Sequence, residues 1–176
     1  MFGGLLYIMK EIKVKNVIFS TVGQRNSENF EKFTSIVKEN RIKVIEVKAG
    51  DKVNIEKELY FKILWPGKED NVMENEINNN SIVCKLCYNN FSVLFTGDIE
   101  KEAEMKILER YKKCTETLKS TILKIPHHGS KTSSTKSFLM LVNPKDALIG
   151  VGKNNKFGHP NAEVLERLKY LRSRCV

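Results

Sequence analysis

Residues 120–134 read STILKIPHHGSKTSS and hold two of the three histidines in this chain of 176 residues. An apolar, β-branched run leads into a polar segment at Pro126, which is the pattern of a strand that ends in a loop. The next segment, TKSFLMLV, has the apolar spacing of a helix. Such loops often carry functional side chains in α/β proteins. His127 and His128 are therefore candidate metal ligands or proton-transfer groups, unless they only form a polar turn.

The chain on both sides of this loop alternates strand and helix patterns. Upstream, SIVCKLCYNNFSVLFTGD predicts a hairpin that turns at Asn89 and Asn90, because asparagine tolerates the positive φ of a tight turn. IEKEAEMKILERY predicts an amphipathic helix, and DALIGVG and a final helix capped at Asn161 follow the histidine loop. These segments predict strand–helix repeats in the second half of the chain.

The first half is richer in strand patterns. Helices are predicted at GGLLYIMKEI and at NSENFEKFTSIVKEN, the second capped by Asn26 or Ser27, and strands at VKNVIFS, IKVIEVKAG and LYFKILWP. Length and a hydrophobic content of 41% fit one packed domain over residues 1–176. The sequence therefore predicts a single domain of the α/β class.

The charge and hydrophobicity of the chain indicate which kinds of binding partner and which cellular location to expect. Lysine and arginine outnumber aspartate and glutamate by 30 to 21, and the net charge of +9 favours a polyanion such as nucleic acid. Mixed-charge stretches such as EKEAEMKILERYKK are, however, typical of a solvated helix face. No apolar run is long enough for a signal peptide or a membrane span, so we expect a soluble, cytoplasmic chain. Cys84 and Cys87 lie in a strand pattern that points them to opposite faces, which indicates buried thiols.

Four polar side chains follow predicted strands, namely Asp98, His127, His128 and His159. A carboxylate and imidazoles that converge from strand ends suit zinc or manganese. Simpler roles exist, because Asp98 could cap the helix that follows it. His159, directly before a proline, could close a turn.

Together, three stretches resemble the metallo-β-lactamase-type domain of the ComEC DNA-internalisation competence proteins and their stand-alone relatives. These are NNNSIVCKL, SVLFTGDIEKEAEMKIL and the region from PHHGSKTSS to GKNNKFGHP, and the resemblance covers nearly the whole chain. It implies an αββα sandwich with a site for two metal ions, zinc or manganese, at the sheet edges. It also implies hydrolysis of phosphoesters, with a DNA strand as the suggested substrate, by a domain that relatives place on membrane-attached, exported or soluble chains.

The resemblance also implies roles for individual residues. Asp98 matches the aspartate that bridges the two metals, and His128 matches a metal ligand. His127 would face the substrate and stabilise or protonate the leaving oxygen, and His159 matches a further site histidine. Ser130 joins the catalytic loop, and the expected substrate-binding residues are Asn80, Ser81, Lys131 and Asn155.

One departure from the family pattern concerns the metal ligands. The main ligand motif, H-x-[HD]-x-D-H, normally comes directly before a GG that opens a helix, and here only Met1 and Phe2 precede Gly3 and Gly4. We therefore expect a fold that is incomplete at both ends, zero or one bound ion, and weak or no hydrolysis by this chain alone. An uncovered sheet edge would favour a homo-oligomer. A non-catalytic DNA-binding remnant and an assembly partner whose site another chain completes are the alternatives.

Overall fold

The computed structural model describes residues 3–20, 22, 28–70 and 72–176. In its first part, two helices accompany a two-stranded parallel sheet, in the order α1 (Gly3–Glu11), β1 (Asn16–Ser20), α2 (Glu28–Glu39) and β2 (Lys43–Val47). Met9, Phe33 and Ile42 are buried together there. The cap predicted at Asn26 or Ser27 lies outside the described residues.

A seven-stranded sheet forms the larger part of the structure. Its strands occur in chain order, from β3 (Lys52–Asn54) through β4 (Leu59–Trp65), β5 (Val83–Tyr88), β6 (Phe91–Phe95), β7 (Ile122–Lys124) and β8 (Asp146–Leu148) to β9 (Arg174–Cys175). The pairs from β3 to β6 are antiparallel, whereas β6, β7, β8 and β9 are parallel. The carboxyl ends of β6, β7 and β8 therefore lie at one edge of the sheet.

Helices connect the strands of this sheet. They are α3 (Glu76–Asn79), α4 (Lys101–Tyr111), α5 (Lys136–Val142) and α6 (Ala162–Tyr170). Apolar side chains of β4 to β8 and of α4, α5 and α6 form one core cluster, in which Trp65, Leu94 and Phe138 are fully buried. This packing fixes the strand ends from which the candidate site residues project.

Local signals in the sequence predicted several boundaries correctly. The hairpin turns at Asn89 with a φ of 50°, and Oδ1 of Asn161 accepts a hydrogen bond from the backbone N–H of Glu163 at the start of α6. Thr135, which was not predicted as a cap, accepts a hydrogen bond from the backbone N–H of Phe138 at the start of α5. These positions follow from turn and cap chemistry, which acts over a few residues.

Other features differ from the sequence prediction. The short elements β3, α3 and β9 were not predicted, and β9 extends the parallel sheet beyond the final predicted helix. The alternative role of Asp98 as a helix cap is wrong, because α4 begins at Lys101 with Glu100 in the cap position. The sheet ends in the short strands β3 and β9, and oligomer formation through such an edge stays a prediction.

All four cysteines are free thiols, and the prediction of buried thiols is confirmed for Cys87, whereas Cys84 is only partly buried. Cys87 is buried, and burial raises the pKa of the Cys84 thiol to about 11. Throughout the described ranges, each helix is too short or too polar to cross a membrane.

Candidate functional site

Asp98 is held at the end of β6 by a tight approach between two loops. The preceding Gly97 has a φ of +55°, and a Cβ there would lie 2.6 Å from Cβ of Ser81. Glycine is therefore required by both the backbone conformation and the space. The backbone N–H of Asp98 donates to Oγ of Ser81 over 3.3 Å. The carboxylate thus follows directly from the strand end, with a quarter of its surface exposed.

The histidine loop follows β7 and has an unusual backbone. His127, His128 and Gly129 have φ values of 47°, 55° and 79°, so that three consecutive residues are left-handed. The backbone N–H of His127 donates to the carbonyl of Gly97 over 3.1 Å, which ties this loop to the loop that carries Asp98. The parallel pairing of β6 with β7 therefore brings both loops together, as the sequence predicted.

His128 has one ring nitrogen fixed and the other available. Its Nδ1 lies 2.6 Å from the carbonyl oxygen of Gly150, and because a carbonyl only accepts, Nδ1 carries the proton. Nε2 is then left with a lone pair, 3.8 Å from Oδ1 of Asp98. That distance is too long for a hydrogen bond. A ring N–H bound to a carbonyl is the usual arrangement of a histidine that ligates a metal through its other nitrogen.

His127 faces a buried carboxylate that the sequence analysis did not identify. Its Nδ1 is 3.0 Å from Oε1 of Glu100, which is only 5% exposed, but the angles of this contact are not those of a hydrogen bond, and this buried nitrogen has no hydrogen-bond partner among the described residues. Glu100 also accepts hydrogen bonds from the side chains of Asn75 and Asn78, and its backbone N–H donates to Oδ1 of Asn79. Glu100 thus connects the α3 segment with the histidine loop.

The third histidine lies in a loop that Asn155 organises. Nδ2 of Asn155 donates to the carbonyl of His159 over 2.7 Å, and its Oδ1 accepts from the N–H of His159 over 3.0 Å. The His159 ring lies 6.0 Å from the ring of His127 and 5.9 Å from that of Phe157. Burial, followed by the charges of His127 and His128, lowers the pKa of His159.

The residues predicted to bind substrate or to complete the catalytic loop differ in how exposed they are. Asn80 is buried, and its side-chain amide bonds to both backbone groups of Val72 and to the carbonyl of Glu76, so that it holds the loop before α3. Ser130 is buried and contacts Thr132 through its hydroxyl. Lys131 is exposed. Substrate contacts stay predictions for all five of these residues, namely Asn80, Ser81, Ser130, Lys131 and Asn155.

A cleft of about 530 Å³ opens beside His128 and His159, and Gly150, Val151, Gly152, Asn155 and Phe157 complete its lining. The volume lies in the range of small-ligand sites. The cleft is thus large enough for part of a substrate next to Asp98 and His128.

The donors present do not make a complete metal site. Within the part of the chain that the structure describes, no group of three or more His, Cys, Asp or Glu side chains could hold a metal ion. Catalytic zinc sites use three protein ligands, whereas Asp98 and His128, the two ligands predicted from the sequence, would supply only two.

Comparison with known proteins gives consistent matches. The model of the metallo-beta-lactamase superfamily matches residues 2–153. ComE operon protein 3 of Bacillus subtilis (strain 168) is 34% identical over 162 residues, which are 92% of this chain and 20% of that protein. Recombination protein 2 of Haemophilus influenzae is 38% identical over 116 residues, 65% of this chain and 14% of that protein. Competence protein ComA of Neisseria gonorrhoeae is 31% identical over 109 residues, 62% of this chain and 15% of that protein.

A solved structure from Parabacteroides distasonis ATCC 8503, named "Putative metal-dependent hydrolase", aligns with a TM-score of 0.50. The alignment covers 90% of this chain and 74% of that one at 13% identity, so that it bears on the fold alone. The chain spans a fifth or less of the length of the curated relatives described above.

Proposed function

The chain belongs to the metallo-β-lactamase superfamily, and from this premise we propose that residues 1–176 form one domain for metal-dependent hydrolysis of phosphoesters, with DNA as the substrate. Its relatives with competence names support a role in DNA uptake. The observation that carries the proposal is the convergence of Nε2 of His128 and Oδ1 of Asp98 at 3.8 Å, with Nδ1 of His128 fixed by Gly150. We assign Asp98 and His128 as metal ligands, for zinc or manganese.

The remaining residues of the proposed site act on the substrate. His127 has Nδ1 directed at Glu100, so its Nε2 is the nitrogen that would stabilise or protonate a leaving oxygen. His159 and Ser130 complete the catalytic loops, and Lys131, Asn155 and Ser81 contact the substrate. The buried Asn80 acts indirectly, because its side chain holds the loop before α3. Because two protein ligands bind an ion weakly, we expect a single ion of low affinity, detectable on titration, and little turnover by this chain alone.

Metal affinity tests the assignment directly. In titrations of the purified protein with Zn²⁺ or Mn²⁺, Asp98→Ala and His128→Ala should each weaken binding by about tenfold or more, since even outer partners of ligands contribute this much. Glu166→Ala, which removes an exposed carboxylate from α6, should leave the affinity unchanged. Elemental analysis of tag-free protein gives the resident metal.

The outcomes are distinct. A wild-type protein that binds neither metal, or variants that bind as tightly as wild type, would refute the assignment. Phosphodiesterase turnover that continues undiminished in a chelator would refute metal dependence. Occupancy that appears only in a dimer would show that a second copy completes the site.

A non-catalytic DNA-binding role is the second candidate, and three exposed lysines beside the site loops favour it: Lys131, Lys153 and Lys156. In that case, DNA binding should weaken steeply with salt and persist in a chelator. Replacing all three by alanine should reduce the slope of log affinity against log salt by up to about three, one for each lost phosphate contact. DNA binding that requires metal would exclude this candidate.

A further inference from the structure

Phe157 is an apolar ring held in solvent. It is 82% exposed, the largest exposure among the large hydrophobic side chains of the described residues, and an exposed ring forgoes the free energy of burial. Its backbone N–H donates to Oδ1 of Asn155, the same side chain that holds His159. The side chain of Asn155 thus holds the backbone of both Phe157 and His159.

The ring of Phe157 is part of a stack. It lies 5.9 Å from the His159 ring with an angle of 20° between the two planes, and both residues line the cleft beside His128. The lining of the cleft also includes Gly152, where a Cβ would meet nothing within 4 Å. A flat group can therefore approach the cleft at Gly152 without meeting a side chain there.

The charges near this ring fit an anionic chain. Lys153 and Lys156 are exposed on the same loop, Lys131 is exposed on the histidine loop, and the chain carries a net charge of +9. Aromatic faces combined with basic side chains are the recurring features of sites for single-stranded nucleic acid, where bases stack and phosphates pair with cations.

We infer that Phe157, backed by His159, is a stacking platform for an unpaired base of a DNA strand whose neighbouring phosphates pair with Lys131, Lys153 and Lys156. This inference rests on the proposed function, because it takes its substrate class from that site. A base paired in a duplex has no free face for the ring, so the platform selects single strands. Phe157 is thus a specificity-determining residue.

Binding of labelled oligonucleotides in a chelator tests the platform without any contribution from metal. Fluorescence anisotropy compares an oligo-dT strand of about 12 nucleotides with an abasic strand of the same length and charge, a length within the usual site sizes. Phe157→Ala should weaken binding of oligo-dT by about tenfold, which corresponds to loss of one stacked base. Binding of the abasic strand should be unchanged, and Phe157→Tyr should bind oligo-dT as wild type does.

Tyr7→Ala is the matched control, since it removes an exposed aromatic ring on α1, outside the seven-stranded sheet. An equal loss for both strands, no loss with Phe157→Ala, or wild-type protein that binds both strands alike would each overturn the inference. Metal titrations of Asp98→Ala and His128→Ala judge the proposed function separately. If the metal titrations contradict the ligand assignment but the protein still binds oligo-dT more tightly than the abasic strand, the proposed hydrolase function is refuted and the stacking platform is retained.

Discussion

Glu104→Ala is expected to lower the free energy of unfolding by about 3 kcal/mol, because it orphans two buried backbone donors. Glu104 lies on α4 with no exposed surface, and its two oxygens accept from the N–H groups of Ser134 at 2.6 Å and Thr135 at 2.8 Å. Burial raises the pKa of the Glu104 carboxyl, whereas these hydrogen bonds and the charge of Arg167 oppose the rise. The carboxylate therefore anchors the C-terminal end of the histidine loop to α4.

Urea unfolding monitored by the fluorescence of Trp65, the single tryptophan, measures the effect of Glu104→Ala. Glu104→Gln keeps the side-chain volume and one acceptor, so its loss should be about half as large. Glu166→Ala removes an exposed helical glutamate and should change stability by less than about 0.5 kcal/mol. If Glu104→Ala is no more destabilising than Glu166→Ala, the hydrogen bonds of Glu104 to Ser134 and Thr135 contribute nothing to the free energy of unfolding.

Trp65→Ala is expected to cost about 3–5 kcal/mol, the range for deletion of a large buried aromatic side chain. Trp65 has no exposed surface and packs in the main core cluster, and its Nε1 donates to the carbonyl of Asn79 over 2.7 Å. Because Oδ1 of Asn79 accepts from the N–H of Glu100, the indole supports the segment that faces His127.

The variant Trp65→Phe separates packing from this hydrogen bond. It retains most of the buried area and should lose about 1 kcal/mol for the missing bond, together with part of the packing. Circular dichroism during urea unfolding measures both variants, since neither contains tryptophan. Equal losses for Trp65→Ala and Trp65→Phe would show that the hydrogen bond, and not the packed volume, dominates.

Much of the fold follows from short-range patterns. The hairpin at Asn89, the cap at Asn161 and the placement of Asp98 and His128 after parallel strands each depend on a few neighbouring residues or on strand direction. The short strands β3 and β9 depend on pairing with residues distant in the chain. No periodic pattern can build up over two or three residues, so the sequence did not indicate them.

The placement of Asp98 and the histidines after strand ends was predictable from the sequence, whereas the buried residues that support them were not. Glu100 and Glu104 belong to a mixed-charge stretch that was interpreted as a solvated helix face, yet both are buried. Glu104 lies on α4 beside the buried Ala103 and Ile107, and Glu100 precedes the helix in the cap position. The available signal was therefore an acidic pair beside an apolar stripe, but only tertiary contacts reveal its partners.

The left-handed backbone at His127 and His128 has a consequence for the speed of recognition. Each residue in this region costs about 1–2 kcal/mol relative to the right-handed form, and that cost is met when the chain folds. The backbone that carries both imidazoles is then already formed before any ligand arrives. We therefore expect the loop to change little when a ligand binds. The association rate of the ligand would then be set by encounter and desolvation, and not by rearrangement of the protein.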